Sequence, residues 1–370
     1  MRISPYSHSP IEFAFTQTPR DFVVQEIPLY EASGDGEHLM IQARKKSLST
    51  NELVKILSST LGIPSKEIGY AGLKDKNALT SQYLTIPKRC EASLLQAREG
   101  LEEKNIKILS LSPHANKLRI GHLKGNKFFV RLKKVQKNDM AKITQVLEKI
   151  KTFGMPNYFG FQRFGKFGDN YLEGKAIVEK KKKIRDKKLC TFLISSYQSY
   201  LFNLWLSERV KLSKLICDFS PKELKEALSL SSLPPLKDFS PLLSQPHPFK
   251  ILEGDLMHHY PYGKLFALES LESEAQRFLS KDITPCGVLS GKKITLPSLD
   301  ALAYQEKFLD NALSEIGSHR FAWVFPEELD YRYIEEKAHL ELNFYLPKGS
   351  YATILLETLA NREIKGESDV

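Results

Sequence analysis

Strand-forming segments sit near both ends of the chain and enclose a middle stretch of different texture, and this limits the fold more than any other feature. Near the start, Phe22-Val23-Val24 and Leu39-Met40-Ile41 have the β-rich composition of short strands. Ser49-Thr50-Asn51-Glu52 then opens a helical pattern, with Thr50 expected as the N-cap. Leu53, Ile56, Leu57 and Leu61 recur at helical spacing, and Gly62 and Pro64 end the run. Between Leu118 and Leu132 two strands are expected around a turn at Lys124-Gly125-Asn126, followed by a helix over 139–153. Strand character returns in HLELNFYL, then Gly349-Ser350-Tyr351, then a helix over 352–360.

The middle stretch, 154–320, begins with the aromatic, glycine-rich NYFGFQRFGKFGDN and continues through the basic EKKKKIRDKK at 179–188. Leu193, Tyr197, Tyr200, Leu201, Leu204 and Trp205 recur at helical spacing. The Ser/Pro/Leu-rich region 219–249 reads as looped. No internal repeat is visible. The pattern fits one domain inserted into another, with the two ends pairing in one sheet.

A chain of 370 residues favours two domains over one core. Its net charge of +10 and pI of 9.1 suit a polyanionic partner, though charge alone does not select nucleic acid. Cys90, Cys190, Cys217 and Cys286 form no CxxC, so free thiols are expected rather than a zinc or redox pair. The first fifteen residues lack a cationic region followed by an apolar run, and no apolar stretch approaches the ~18 residues of a membrane helix. The expectation is a cytoplasmic protein with no membrane association.

The segment 69–86, GYAGLKDKNALTSQYLTI, carries the clearest chemistry. Asp75 lies between Lys74 and Lys76, whose charges favour its ionised form and depress its pKa. An ionised carboxylate beside a sugar can act as nucleophile or base. Gly69 and Gly72 would let a bulky partner approach the backbone. The competing reading is an exposed turn with its charges in water, the commoner fate of a charge run.

AGLKDKNALTSQ resembles the catalytic motif of the TruD family of tRNA pseudouridine synthases. Four more stretches match that family in order: DFVVQEI at 21–27, KLRIGHLKGNKF at 117–128, PNYFGFQRFG at 156–165 and FYLPKGSYAT at 344–353. The resemblance runs from about residue 18 to 359. It implies an α/β fold of α+β type. A catalytic domain with a largely antiparallel mixed sheet, 1–153 and 321–370, is interrupted by an inserted α/β TRUD domain, 154–320. It implies tRNA as partner, no obligate protein partner, and isomerisation of uridine 13 to pseudouridine. The N1–C1′ bond breaks, the uracil turns, and C5 bonds to C1′. No redox change or group transfer occurs, so the resemblance implies neither cofactor nor metal, in keeping with a sequence that has no dinucleotide fingerprint or P-loop.

By the same resemblance Asp75 is the essential acid. Phe22, Asn126, Phe128 and Phe344 match positions that contact the substrate. An extruded uridine needs a stacking partner and hydrogen bonds to its edge, and Asn126 can both donate and accept. For each phenylalanine core packing is the rival, closest for Phe344 beside Tyr345. Arg163 would contact phosphate or pair with a carboxylate, and the lysines from Lys180 form a solvated face or a phosphate contact. Where the family often has a lysine before the DF pair, this chain has Thr16. The cation beside Asp75 is then Lys74 or Arg20. Three other functions compete. A non-catalytic tRNA-binding chaperone would need no reactive carboxylate, a glycoside-acting enzyme would want two where the motif offers one, and a purely structural basic protein would leave the KDK motif and its four companion stretches unexplained.

Overall fold

The computed structural model describes residues 2–165 and 167–364. The chain divides into two compact units, one of Glu12–Asn138 with Pro326–Gly349, the other of Met1–Ile11, Asp139–Phe325 and Ser350–Val370. These cuts differ from the sequence boundaries at 153/154 and 320/321. The helices Met140–Phe153 and Ala352–Ala360 pack together and fall with the middle stretch. Ile11 N–H donates to the Ala360 carbonyl at 3.0 Å, and Tyr6 Oη to the Gly154 carbonyl at 2.6 Å.

The first unit is built on an eight-stranded mixed sheet. Its strands are β1 (Phe22–Pro28), β2 (His38–Lys46), β3 (Gly69–Tyr70), β4 (Leu79–Pro87), β5 (Ile106–His114), β6 (Leu123–Leu132), β7 (Glu327–Ile334) and β8 (His339–Pro347). The order is β7-β8-β6-β1-β4-β2-β5, with β3 on β4. Only β1 and β4 run parallel; the other pairings are antiparallel. The two ends of the chain therefore do share a sheet, through β8 on β6.

The expected turn at Lys124-Gly125-Asn126 is instead the start of β6. The reversal comes earlier, where His122 N–H donates to the Arg119 carbonyl at 3.0 Å and Gly121 takes φ +94°. Gly125 is a glycine because β8 crosses it: a Cβ there would strike the Leu346 carbonyl oxygen and the Tyr345 ring.

The helix α1 (Thr50–Leu61) is capped by Ser49 rather than Thr50. Ser49 Oγ accepts from Glu52 N–H at 3.2 Å, and the Glu52 carboxylate accepts from Ser49 N–H at 2.7 Å, a capping box. Thr50 is thereby freed to bond elsewhere. Gly62, left-handed at φ +64°, ends the helix. Leu53, Val54 and Leu57 pack on Leu39, Ile41, Leu84 and Ile86 of the sheet.

The second unit gathers around the 32-residue helix Lys187–Asp218, whose Phe202, Trp205, Leu206 and Val210 are buried with Phe249, Met257 and Trp323. Strands Ser318–Phe321, Ile283–Leu289, Leu256–His259 and Leu265–Ala267 form a four-stranded sheet in that order. Region 219–249 is more ordered than its composition suggests. It contains the helix Pro221–Leu230, capped by Ser220 and Glu223, and a short turn of helix at Ser240–Leu243, pinned by buried Leu224 and Leu242. Among the described residues no helix is long and apolar enough to cross a membrane.

Candidate active site

Strand register sets out the site. Cross-strand partners share a face, so one row across the sheet reads Phe344, Phe128, Val24, Thr80, Lys45. The next row reads Leu346, Asn126, Glu26, Gln82, Ala43, with Glu26 placed opposite Gln82 by the step from Gln25↔Ser81. Phe22, opposite Val130, completes the face. Polar side chains therefore occupy a buried sheet surface beside an aromatic patch.

The three phenylalanines form a stack. Phe22 and Phe128 lie 6.1 Å apart at 24°, and Phe128 and Phe344 5.4 Å apart at 24°. All three are buried, Phe128 the least at 7% exposed. Asn126, two residues from Phe128 on the same strand, is half-buried. Its Oδ1 is buried without a hydrogen-bond partner among the described residues, as are Thr80 Oγ1 and Gln82 Nε2 on the same face. Buried polar atoms are normally satisfied, so three orphans on one face mark a surface shaped for more than packing. Gln82 Oε1 is held by the Thr50 hydroxyl at 2.9 Å, and Thr50 Oγ1 also accepts from Lys74 N–H at 2.9 Å. The helix start thus ties the Asp75 loop to the sheet.

Asp75 lies in the loop between β3 and β4, half-buried by surface area. Desolvation of its carboxyl is the largest influence on its pKa, which is raised. The field of Lys45, a hydrogen bond to its own N–H and the field of Lys74 offset this only in part. Desolvation outweighs the depression expected from the flanking lysines, each of which is also paired with another acid. Lys74 Nζ sits 2.6 Å from Glu26 Oε2 in a buried pair, and Lys76 Nζ sits 3.0 Å from Glu52 Oε1 in an exposed one. Glu26 Oε1 accepts from Tyr83 N–H at 3.1 Å.

The main cation at Asp75 is Lys45, rather than Lys74 or Arg20. Lys45 is fully buried. Its Nζ donates to the Asp75 carbonyl at 3.0 Å and to the Leu48 carbonyl. Burial brings its pKa down to about 8, against the opposing pull of Asp75. Arg20 is exposed, and its carbonyl accepts from Arg131 Nη1 at 3.2 Å. Thr16 is half-buried ahead of β1. Lys45, Glu26, Thr80 and Gln82 escaped sequence reasoning. The signal available was a lysine and a glutamine at inward positions of strands that otherwise alternate correctly.

Arg163 belongs to the other unit and has no carboxylate partner among the described residues. It donates to Ser199 Oγ at 3.2 Å and Ser195 Oγ at 2.5 Å. Within the basic run, Lys181 and Lys182 pair with Glu179 and Glu173.

Comparison with known proteins bears on this arrangement. The family model described as tRNA pseudouridine synthase D (TruD) matches residues 5–185. A tRNA pseudouridine synthase D of Wolinella succinogenes is 55% identical over 98% of this chain and 99% of its own length. One from Helicobacter hepaticus is 51% identical over 97% and 95%. A solved structure from Methanosarcina mazei, described as TruD, superposes with a TM-score of 0.67 over 98% of this chain and 97% of its own, at 19% identity. Matched almost end to end by relatives at more than half identity, the chain belongs to the TruD family of tRNA pseudouridine synthases.

Proposed function

We propose that this protein isomerises uridine to pseudouridine in tRNA, at position 13, with Asp75 as the reacting carboxylate. The observation that carries the reading is the desolvated carboxyl of Asp75 on a loop tied to a sheet face that joins a phenylalanine stack to orphaned polar atoms. A tRNA uridine is extruded from its stack, and its cost of unstacking is offset by aromatic contact and edge hydrogen bonds in the pocket. Phe22, Phe128 and Phe344 supply the aromatic surface. Asn126 Oδ1 is free to accept from the uracil edge, which presents N3–H.

Asp75 attacks carbon or removes a proton. Either way the N1–C1′ bond breaks, the base turns, C5 bonds to C1′, and the C5 proton leaves as N1 gains one. Atoms and charge balance without an external reactant. Desolvation strengthens an ionised carboxylate as nucleophile and base, because water no longer competes for its lone pairs. The Lys45 ammonium favours the ionised form, and its bond to the Asp75 carbonyl fixes the main chain beneath the reacting group. The catalytic domain takes in the eight-stranded sheet, the partner is tRNA, and the compartment is the cytoplasm.

The test is Asp75→Asn with pseudouridine mapped across cellular tRNA. The expected result is loss of the modification at position 13 with tRNA binding retained. Retained isomerisation in Asp75→Asn would remove the catalytic assignment. A wild-type protein that binds tRNA and leaves every uridine unchanged would point to a chaperone instead.

A further inference from the structure

We propose that Arg163 and Arg320 together form a binding site for a phosphodiester of the RNA backbone. The site lies wholly within the second unit and shares no residue with the Asp75 site. Only the identity of its RNA rests on the function proposed above.

Both guanidinium groups are centred on Phe159. The Arg320 guanidinium carbon lies 3.8 Å from the Phe159 ring centroid and that of Arg163 5.8 Å from it. Arg163 also lies 5.5 Å from the Phe192 ring, and Arg320 lies 5.6 Å from Phe202 and 5.9 Å from Tyr351. Two cations thus share one aromatic cage, and among the described residues neither has a carboxylate partner.

Their hydrogen bonds are to neutral groups and leave one end of each fork over. Arg163 gives Nε to Ser199 Oγ and Nη2 to Ser195 Oγ. Arg320 gives Nε to the Asn157 carbonyl at 3.0 Å and Nη2 to Asn157 Oδ1 at 2.9 Å and the Tyr158 carbonyl at 3.3 Å. Among the described residues neither Nη1 has a protein partner, and neither is sealed inside the protein. Burial lowers the pKa of both groups, and burial together with the charge of Arg163 brings that of Arg320 to about 10.

Desolvated like charges held together without a counter-charge are unfavourable, and cation–π contact offsets only part of that cost. A structural arginine in this protein looks different. Arg209 is fully buried and grips Asp255 with two bonds of 2.7 Å. Arg163 and Arg320 are half-buried and hold rigid, planar donors toward solvent, which suits a tetrahedral oxyanion.

The helix that carries Ser195 and Ser199 extends the site. Phe192 and Lys188 lie on the same face at helical spacing, and Lys187 and Lys188 make no ion pair among the described residues. The basic run that precedes this helix thereby gains a role as a path for successive phosphates rather than a merely solvated face. A nucleic-acid backbone, with its regular negative charges, fits this better than a single carboxylate.

The experiment measures tRNA affinity of wild type, Arg163→Gln and Arg163→Lys at several salt concentrations, with Asp75→Asn as control. Each phosphate contact contributes about 0.7–0.9 to the slope of log affinity against log salt. Arg163→Gln is expected to flatten the slope by about that amount, so its deficit against wild type shrinks about threefold between roughly 50 and 200 mM salt. Arg163→Lys is expected to keep most of the slope, and Asp75→Asn all of it. Parallel salt lines for Arg163→Gln and wild type, at equal or reduced affinity, would overturn the site. Should Arg163→Gln fail to fold, phenylglyoxal labelling of wild type decides: tRNA protects Arg163 if the site exists and leaves it reactive if it does not. Absence of any salt-dependent tRNA affinity in wild type would overturn both this site and the proposed function, whereas parallel lines overturn this site alone.

Discussion

Replacing Lys45 by methionine keeps the length of the side chain and removes its charge, and the structure fixes how stability should then respond to pH. Lys45 is fully buried, and burial moves its pKa from the ordinary 10.5 to about 8. Between those two values the unfolded chain holds a proton that the folded protein has released. Stability from this group therefore rises with pH across that window. At about 1.4 kcal/mol per pH unit of displacement, the full rise is roughly 3 kcal/mol. Below about pH 8 the ammonium is charged in both states and the penalty of burying it is fully present.

The assay is urea unfolding of wild type and Lys45→Met at about pH 7 and about pH 10, with the difference between the two proteins compared at each pH. Wild type should gain roughly 2–3 kcal/mol on the variant over that range. Buried Tyr6, Tyr158 and Tyr304 have raised pKa values and pull stability the other way at high pH, but they are common to both proteins and cancel in the difference. Parallel pH curves would refute the claim that Lys45 is a desolvated ammonium. The variant should also lose the main charge that holds the Asp75 pKa down, so the acidic limb of its pH–rate profile should move to higher pH.

Phe128→Ala empties the centre of the stack between Phe22 and Phe344 and should cost about 3–5 kcal/mol in denaturant unfolding; a loss under ~1 kcal/mol would mean the stack is not close-packed. Lys74→Met leaves Glu26 buried without its counter-charge and should cost about 3–5 kcal/mol, while the double variant Lys74→Met/Glu26→Gln should recover most of that. Additive losses in the double variant would show that the two side chains are not paired.

The sequence makes strand and helix positions legible where periodicity is local. Alternation in KFFVRL and HLELNFYL, and the spacing of Leu53 and Leu57, follow from burying one face, and β6, β8 and α1 bear them out. Gly125 misleads because a glycine serves equally for a turn and for a close strand crossing, and only β8, more than two hundred residues away, decides which. The compact units divide elsewhere than the change of sequence texture for a similar reason: helix Met140–Phe153 has a packing partner at the far end of the chain. Asp75 could be singled out through its motif. Its electrical environment could not, since KDK looks self-neutralising until the loop is folded and each lysine finds a different acid.

Burial outweighs the fields of the nearby lysines, which is why a carboxyl flanked by two lysines still carries a raised pKa. Lys74 is tied to the sheet through Glu26, and Lys76 to the start of α1 through Glu52, so the neighbours of Asp75 hold the loop in place instead of neutralising the acid. Its stabilising field comes chiefly from one buried lysine on β2, itself bonded to main-chain carbonyls rather than to a carboxylate. A tight ion pair at Asp75 would stabilise the fold and lower the basicity of the acid, because a reacting carboxylate must give up its partner before it can bond to anything else. Placing the cation behind the backbone keeps the field and leaves the carboxyl oxygens unclaimed by a lysine. The orphaned Asn126, Thr80 and Gln82 atoms follow the same logic, since groups kept unsatisfied within the fold remain available to whatever the sheet face receives.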